Sequence, residues 1–282
     1  MLGTVQFGMN YGVANTSGKP SYETVKAILK EAYDHNVNAL DTAPEYGDSE
    51  EVIGKALNEL GLAGRFSIVT KIPSIPEGAA PYEFMEKSLA SSLKKLHAEC
   101  VAAVLLHSEK DDVHMDELKK LKDKGMTERA GVSLNTLAFK DGGKTADCIQ
   151  VPASLLDHRF DHCFGKGDRH CFVRGAYLQG MLLMPEEKVF VSEIVPYRRR
   201  LQALGIPMAE LALRYLFAKP APCSVLTGVE TLGQLKENLR IAEMPPLPQD
   251  VLQAVEDIVS ERLPEICVSP YFWKRYKEER GL

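Results

Sequence analysis

The sequence predicts an α/β fold, a single-domain (β/α)8 TIM barrel, and three observations carry that prediction. Short apolar runs alternate with amphipathic segments along most of the chain, as the βαβ units of a parallel sheet require. Eight such runs fit strands: 2–7, 38–42, 66–71, 101–106, 129–133, 148–152, 171–175 and 223–227. Eight units within 282 residues close a barrel rather than extend an open sheet, and no linker-like, low-complexity or repeated segment divides them.

The intervening segments have helical period. Over 22–36, Val25, Ile28, Leu29, Ala32 and Tyr33 recur at i, i+3, i+4, i+7 and i+8, one helix face. Ser21 supplies an N-cap with Thr24 three residues on, a partial capping box. Over 50–60 the stripe is Val52, Ile53, Ala56, Leu57 and Leu60, and Gly61 stops it. Further helices fit 82–97, 115–124, 192–204, 208–218 and 231–242. Residues 264–282 read as a separate C-terminal tail carrying the only Trp, in Tyr271-Phe272-Trp273.

Composition narrows the function. Apolar residues make up 45% and charged residues 26% of the chain, ordinary for a globular protein. A formal net charge of −5 argues against nucleic acid or an anionic membrane as partner. The six Cys are scattered, without a Cys-x-x-Cys pair, and neither a signal peptide nor a spanning segment is evident. The expected location is therefore cytoplasmic and the expected partner a small molecule. No feature of the sequence specifies an oligomeric state.

Three strand runs end in polar groups: 38–42 holds Asp41, 66–71 ends in Lys71, and 101–106 is followed by His107. Tyr46 lies in the loop after Asp41. Barrel active sites occupy the C-terminal strand ends, so these four converge on one pocket. Each alone has an ordinary reading: a strand-end Asp as helix cap, a Tyr as packing, a His as a satisfied loop residue. In sequence on consecutive strands they form a proton-transfer set. Lys71 is expected to lower the Tyr46 pKa, Asp41 to orient Lys71, and His107 to position a carbonyl oxygen.

Here the chain resembles the aldo-keto reductases. Leu40-Asp41-Thr42-Ala43-x-x-Tyr46-Gly47-x-Ser49-Glu50-x-x-Ile53-Gly54 is similar to their strand-2 signature, with Lys71 and His107 at the matching later positions. The opening Leu2-Gly3-Thr4-Val5-Gln6-Phe7-Gly8, Gly131-Val132-Ser133, Gln150-Val151-Pro152 and Glu237-Asn238 match too. The resemblance implies reduction of an aldehyde or ketone by NADP(H) or NAD(H), with Tyr46 as general acid. Residues 172–180 resemble a bacterial branch associated with surface-sugar and secondary-metabolite pathways, which points to a sugar-derived carbonyl.

No Gly-x-Gly-x-x-Gly follows a strand, and the Walker-like 12–19 has Pro20 where Ser or Thr belongs. The resemblance instead lays the cofactor across the barrel mouth. It places the carboxamide on Ser133 and Gln150, other parts on Gly3, Thr4, Asp41 and Arg174, and the adenosine phosphate end near Gly228, Glu230, Gln234, Glu237 and Asn238. The start of the 231–242 helix is itself a sensible anion site. Leu134 stands where the family usually has a polar residue beside the nicotinamide. The strand-8 loop lacks the Lys and Arg that many relatives direct at the 2′-phosphate, and Glu230 adds a negative charge, so weak NADPH selectivity or NADH preference is expected.

Other features of the chain have competing readings. His158, His162, Cys163, His170 and Cys171 invite zinc, but their spacing fits no familiar set, and no metal is expected. The Tyr271-Phe272-Trp273 cluster walls the pocket or anchors the tail outside. Phe7 lines the pocket with Tyr11 and Tyr46 or fills the barrel, and Lys274-Arg275-x-Lys277 reads as a solvated helix end. Three alternatives share the fold: a non-redox lyase, dehydratase or epimerase; a cofactor-sensing, non-catalytic subunit; and an aldolase using Lys71 as a Schiff-base amine.

Overall fold

The computed structural model describes residues 1–221 and 223–282. Strands β1 (Leu2–Gly3), β2 (Ala39–Asp41), β3 (Ser67–Ile72), β4 (Ala103–Leu106), β5 (Ala130–Ser133), β6 (Cys148–Pro152), β7 (His170–Arg174), β8 (Cys223–Val225) and β9 (Thr227–Gly228) pair only in parallel, in the order β8-β7-β6-β5-β4-β3-β2-β1-β9. The last two are halves of one expected strand, broken at Leu226. Because β8 pairs with β7 and β9 pairs with β1, that bent strand joins the two edges and closes the barrel. Thr227 N–H donates to Met1 O at 3.1 Å across the seam.

Helices α1 (Val5–Gly8), α2 (Tyr22–Asp34), α3 (Ser49–Glu59), α4 (Pro81–Leu96), α5 (Met115–Asp123), α6 (Val195–Gln202), α7 (Met208–Phe217), α8 (Leu232–Ala242), α9 (Gln249–Ile258), α10 (Glu265–Val268) and α11 (Trp273–Arg280) surround or extend it. The α2 stripe is buried as its period requires, with Val25, Ile28, Leu29 and Ala32 all at 0% exposure. Each fully buried Val, Ile or Leu stabilises by about 1.5–3 kcal/mol relative to exposure. Ser21 Oγ accepts from Thr24 N–H at the start of α2, and Thr231 with Gln234 completes a full capping box on α8.

Two expectations need correction, and the open reading of the tail is decided. The first strand stops at Gly3, and Val5–Gly8 turns helical; Phe7 is fully buried in the main core and lines no pocket. The segment expected as a helix over 192–204 is a 3-10 turn at Ser192–Ile194 followed by α6, with Pro196 in its first turn. The tail is helical from Trp273 to Arg280. Trp273 is buried, edge-on to Phe190 at 5.2 Å, and donates its indole N–H to Cys267 O at 3.0 Å. It is an anchor; Tyr271 remains 64% exposed.

The barrel interior shows which strand positions point inward. A small cluster of Val69, Ala103, Leu105, Cys148, Phe172 and Leu226 fills it. Side chains alternate along a strand, so the next inward positions toward the C-terminal ends are Lys71, His107, Gln150, Arg174 and Gly228. Strand register adds Gly3 and Asp41, paired with each other, and Ser133, paired with Gln150. This inward layer is the polar floor of the mouth.

Candidate active site

Asp41 and Lys71 form the centre of that floor. Lys71 is 0% exposed and its ammonium donates to both Asp41 carboxylate oxygens and to Thr42 O, each at 2.9 Å. Burial works to lower the Lys71 pKa, but Asp41, with Tyr46 behind it, prevails and raises it above the ordinary value. An amine held charged in this way is a poor Schiff-base nucleophile. Gln150 extends the pair: its Nε2 donates to Asp41 Oδ1 at 2.7 Å, and Ser133 Oγ donates to its Oε1 at 3.4 Å. Of the two residues expected to hold a carboxamide, Gln150 thus bonds directly to the residue expected to orient the lysine, and Ser133 reaches it only through Gln150.

Backbone contacts hold this arrangement. Thr4 donates its N–H and its hydroxyl to Asp41 O at 3.0 and 2.8 Å. Ser49 Oγ in turn donates to Thr4 O at 2.9 Å. Glu50 is buried and takes the Thr70 hydroxyl at 2.7 Å. The Ser-Glu of the strand-2 signature therefore braces the floor from behind.

Tyr46 overhangs the ammonium, with Lys71 Nζ 4.8 Å from its ring centre. Its pKa is raised, against the expectation: burial pushes it up, Lys71 pulls it down, and Asp41 pushes it up again. The ion pair cancels much of the field that a lone lysine would exert on the phenol. The hydroxyl accordingly stays protonated at neutral pH. Its loop is set by Gly8, whose absent Cβ would fall 1.6 Å from Tyr46 O and 2.6 Å from Ser49 N.

His107 stands edge-on to Tyr46 at 5.9 Å between ring centres. Burial, then the charges of Lys71 and Arg174, push its pKa down to about 3. Glu45 touches Nδ1 without hydrogen-bond alignment; that carboxylate is half exposed, so water screens it and the neutral ring prevails. A His depressed below its unfolded value of about 6.5 makes the unfolded chain bind the extra proton first. Stability from this group is therefore present above pH 6.5 and lost as pH falls toward 3. Between pH 7 and pH 5 the His107 share is expected to be about 2 kcal/mol. Urea unfolding of the wild type and His107→Gln at both pH values checks this; equal losses in the two proteins would refute it.

The remaining expected cofactor residues divide. Gly3 and Gly228 face each other across the β1–β9 pair, leaving that part of the rim without side chains. Gln6 borders the gap: a Cβ on Gly228 would come within 2.5 Å of its amide oxygen, which is buried without a hydrogen-bond partner. Gln234 Oε1 is occupied with the N–H of Glu230 at 2.7 Å. Glu237 is tied to Arg240 at 2.8 Å, and Asn238 accepts from the Tyr177 hydroxyl at 2.8 Å. Leu134 points away from the mouth and is fully buried, and the next inward position after Ser133 is Asn135. The same alternation could have found Asn135, whereas nothing in the spacing marks Glu45, Gln6 or Gly8.

The histidine–cysteine cluster assembles no metal site. His158 bonds Asp161 and Leu155 O, both at 2.9 Å, through its two ring nitrogens, and His162 bonds Lys140 O at 2.9 Å. Among the described residues no group of three potential ligands is gathered for a metal ion. A cavity of about 260 Å³ beside Arg214, Phe217 and Met244 lies in the outer helical layer, away from the tetrad. Among the described residues no helix is long and apolar enough to cross a membrane.

Comparison with known proteins agrees with this geometry. The family model described as the aldo/keto reductase family matches residues 1–163 and 191–260. The chain is 25% identical over 266 residues to an uncharacterized oxidoreductase, YqkF, of Bacillus subtilis, covering 82% of this chain and 86% of that one. It is 25% identical to L-galactose dehydrogenase of Arabidopsis thaliana, covering 92% and 91%. The holo form of aldo-keto reductase AKR11C1 from Bacillus halodurans superposes with a TM-score of 0.73 at 21% identity, over 91% of this chain and 90% of that one. With the family model matching most of the chain, and a barrel mouth carrying Asp, Tyr, Lys and His, this chain belongs to the aldo/keto reductase family, as an NAD(P)H-dependent oxidoreductase of aldehydes or ketones.

Proposed function

We propose that Tyr46 is the proton donor to the carbonyl oxygen, with Lys71, Asp41 and His107 as its partners. The observation that carries this reading is the fully buried Lys71 ammonium, bonded to both oxygens of Asp41 and lying under the Tyr46 ring. A bound nicotinamide supplies the hydride. Tyr46 gives its proton as charge develops on the oxygen, and the nearby ammonium favours the phenolate left behind. Asp41 keeps Lys71 in place, and neutral His107 orients the oxygen.

Gly3, Thr4, Asp41, Ser133, Gln150 and Gly228 would hold the cofactor, with Gln234, Glu237 and Asn238 toward its adenosine end. The bare Gly3–Gly228 rim and the unpartnered Gln6 amide oxygen beside it fit a ligand there. Neither Glu230 nor the residues beside it offer a cation for a 2′-phosphate, which supports equal or tighter binding of NADH than NADPH. The substrate is read as a small, sugar-derived carbonyl compound, in keeping with the sugar dehydrogenase among the relatives. Residues 1–282 are read as one domain, tail included, in the cytoplasm, where six free cysteines suit reducing conditions.

A thermal-shift titration with NADH and NADPH tests the reading. At 100 times its Kd, a ligand that binds only the folded state stabilises by about 2.7 kcal/mol, several degrees for a chain of this size. Absence of a shift with either nucleotide would put a non-redox barrel first. A 100-fold preference for NADPH would overturn the cofactor choice alone.

The Tyr46 loop offers a second test. Gly8→Ala must push the Tyr46 backbone away, since the added methyl would overlap Tyr46 O. A displacement of about 1 Å at a reacting group costs on the order of 10²-fold in rate. The expected result is a kcat reduced by about that factor with cofactor Kd little changed, read from steady-state kinetics and nucleotide titration.

A further inference from the structure

Two arginines stand side by side on the rim where β5, β6 and β7 end, and Asn135 holds both. Arg159 donates to Asn135 O at 2.8 Å, while Arg174 donates to Asn135 Oδ1 and to Leu134 O, the latter at 3.1 Å. Their charges are treated differently. Arg159 is paired with Asp157 and with Glu265 of the tail, each at 2.7 Å. Arg174, among the described residues, forms a salt bridge with none, and its bonds engage a single nitrogen, Nη2, with neutral acceptors.

Arg174 also points into the site. It shares the inward face of β7 with Phe172, which fills the barrel interior, and lies one inward step closer to the mouth. Its field reaches Tyr11, Tyr46 and His107. The other charges of the floor, Asp41 and Lys71, neutralise each other at 2.9 Å. The nearby carboxylates are otherwise engaged, Glu45 against His107 and Asp157 with Arg159. Although the Asp157 charge also reaches it, Arg174 is, among the described residues, the mouth cation with no carboxylate in salt-bridge contact, beside the expected path of the carbonyl. A guanidinium taken from water is costly unless a counter-charge and hydrogen bonds replace the lost solvation.

We propose that Arg174 is the anion-recognition residue of the substrate pocket, so that the preferred carbonyl compound carries a carboxylate or phosphate next to its reacting end. The planar guanidinium suits either group through paired N–H donors. This rests on the reductase reading for the identity of the reacting carbonyl, and it moves Arg174 from the cofactor set to the substrate. The other source of the same chemistry is the cofactor's own pyrophosphate, which the experiment must separate.

The test uses Tyr46→Phe protein saturated with NADPH, so that probes bind with turnover slowed by about 10² to 10⁴. Pyruvate is titrated against methyl pyruvate, and glyceraldehyde 3-phosphate against glyceraldehyde, by calorimetry. The expected result is at least tenfold tighter binding of one anionic member, lost in Tyr46→Phe/Arg174→Gln and partly kept with Arg174→Lys. NADPH affinity, measured separately, should change less than threefold in both Arg174 variants, which also shows that they fold. Equal binding of anionic and neutral probes before Arg174 is changed would overturn the proposal. So would a tenfold loss of NADPH affinity in Arg174→Gln with the probe preference intact, which would return the guanidinium to the pyrophosphate. If no nicotinamide nucleotide binds, the reductase reading fails by itself; the same probe pairs on unloaded protein then decide whether Arg174 recognises anions.

Discussion

Tyr46→Phe is expected to reduce kcat for any aldehyde or ketone the wild type accepts by about 10² to 10⁴, the usual contribution of a positioned proton donor. The ring is retained, so its edge-on contact with His107 at 5.9 Å and its place over Lys71 at 4.8 Å should persist. Only the hydroxyl is lost. Nucleotide affinity should therefore be unaffected, and kcat and kcat/KM should fall together, the pattern for an interaction made only in the transition state. Because burial and Asp41 hold the Tyr46 pKa above its ordinary value despite Lys71, reduction by the wild type should not decline through the neutral range from loss of the phenolic proton. A variant retaining more than a tenth of wild-type kcat would remove Tyr46 from the role of donor.

Much of the floor could be read from residue order because a barrel turns strand ends into neighbours. Asp41, Lys71 and His107 are spaced widely in sequence, yet register pairs β2 with β3 and β3 with β4, so consecutive strand ends meet. Helices with a clean apolar stripe were legible for the same reason: period decides which face is buried. Effects that depend on summed environment were not legible. The direction of the Tyr46 pKa turns on burial outweighing an ammonium already neutralised by its partner, which no spacing encodes. The apolar run 2–7 likewise shows neither that β1 stops at Gly3 nor that Gly8 must lie against the Tyr46 backbone, a contact between residues far apart in sequence. Trp273 reads as pocket wall or anchor until Phe190 is seen against it. Strand alternation does single out Asn135 as the inward residue after Ser133.

Lys71→Met should be the most destabilising single change in the site. It leaves the Asp41 carboxylate, 4% exposed, with the Gln150 amide at 2.7 Å and no cation. Removing one partner of a buried pair costs about 3–5 kcal/mol, which for a chain of this size lowers Tm by roughly 10 °C. The raised Lys71 pKa means that the ammonium's contribution is fully present below its unfolded value and is lost only as pH rises through the folded one. The deficit should therefore be constant from neutral pH upward until that alkaline range. Asp41→Asn strands the ammonium instead, leaving Thr42 O at 2.9 Å as an acceptor, and should also destabilise. The double variant Asp41→Asn/Lys71→Met carries neither charge and keeps similar volume, so it should be more stable than Lys71→Met alone. A coupling energy above about 1 kcal/mol from the four urea midpoints would establish the pair as one unit. Additive losses would mean that each group is held by its other neighbours, and that Asp41 does not position Lys71. Activity separates stability from chemistry: the double variant should fold and still lack turnover, because no ammonium remains to stabilise the Tyr46 phenolate.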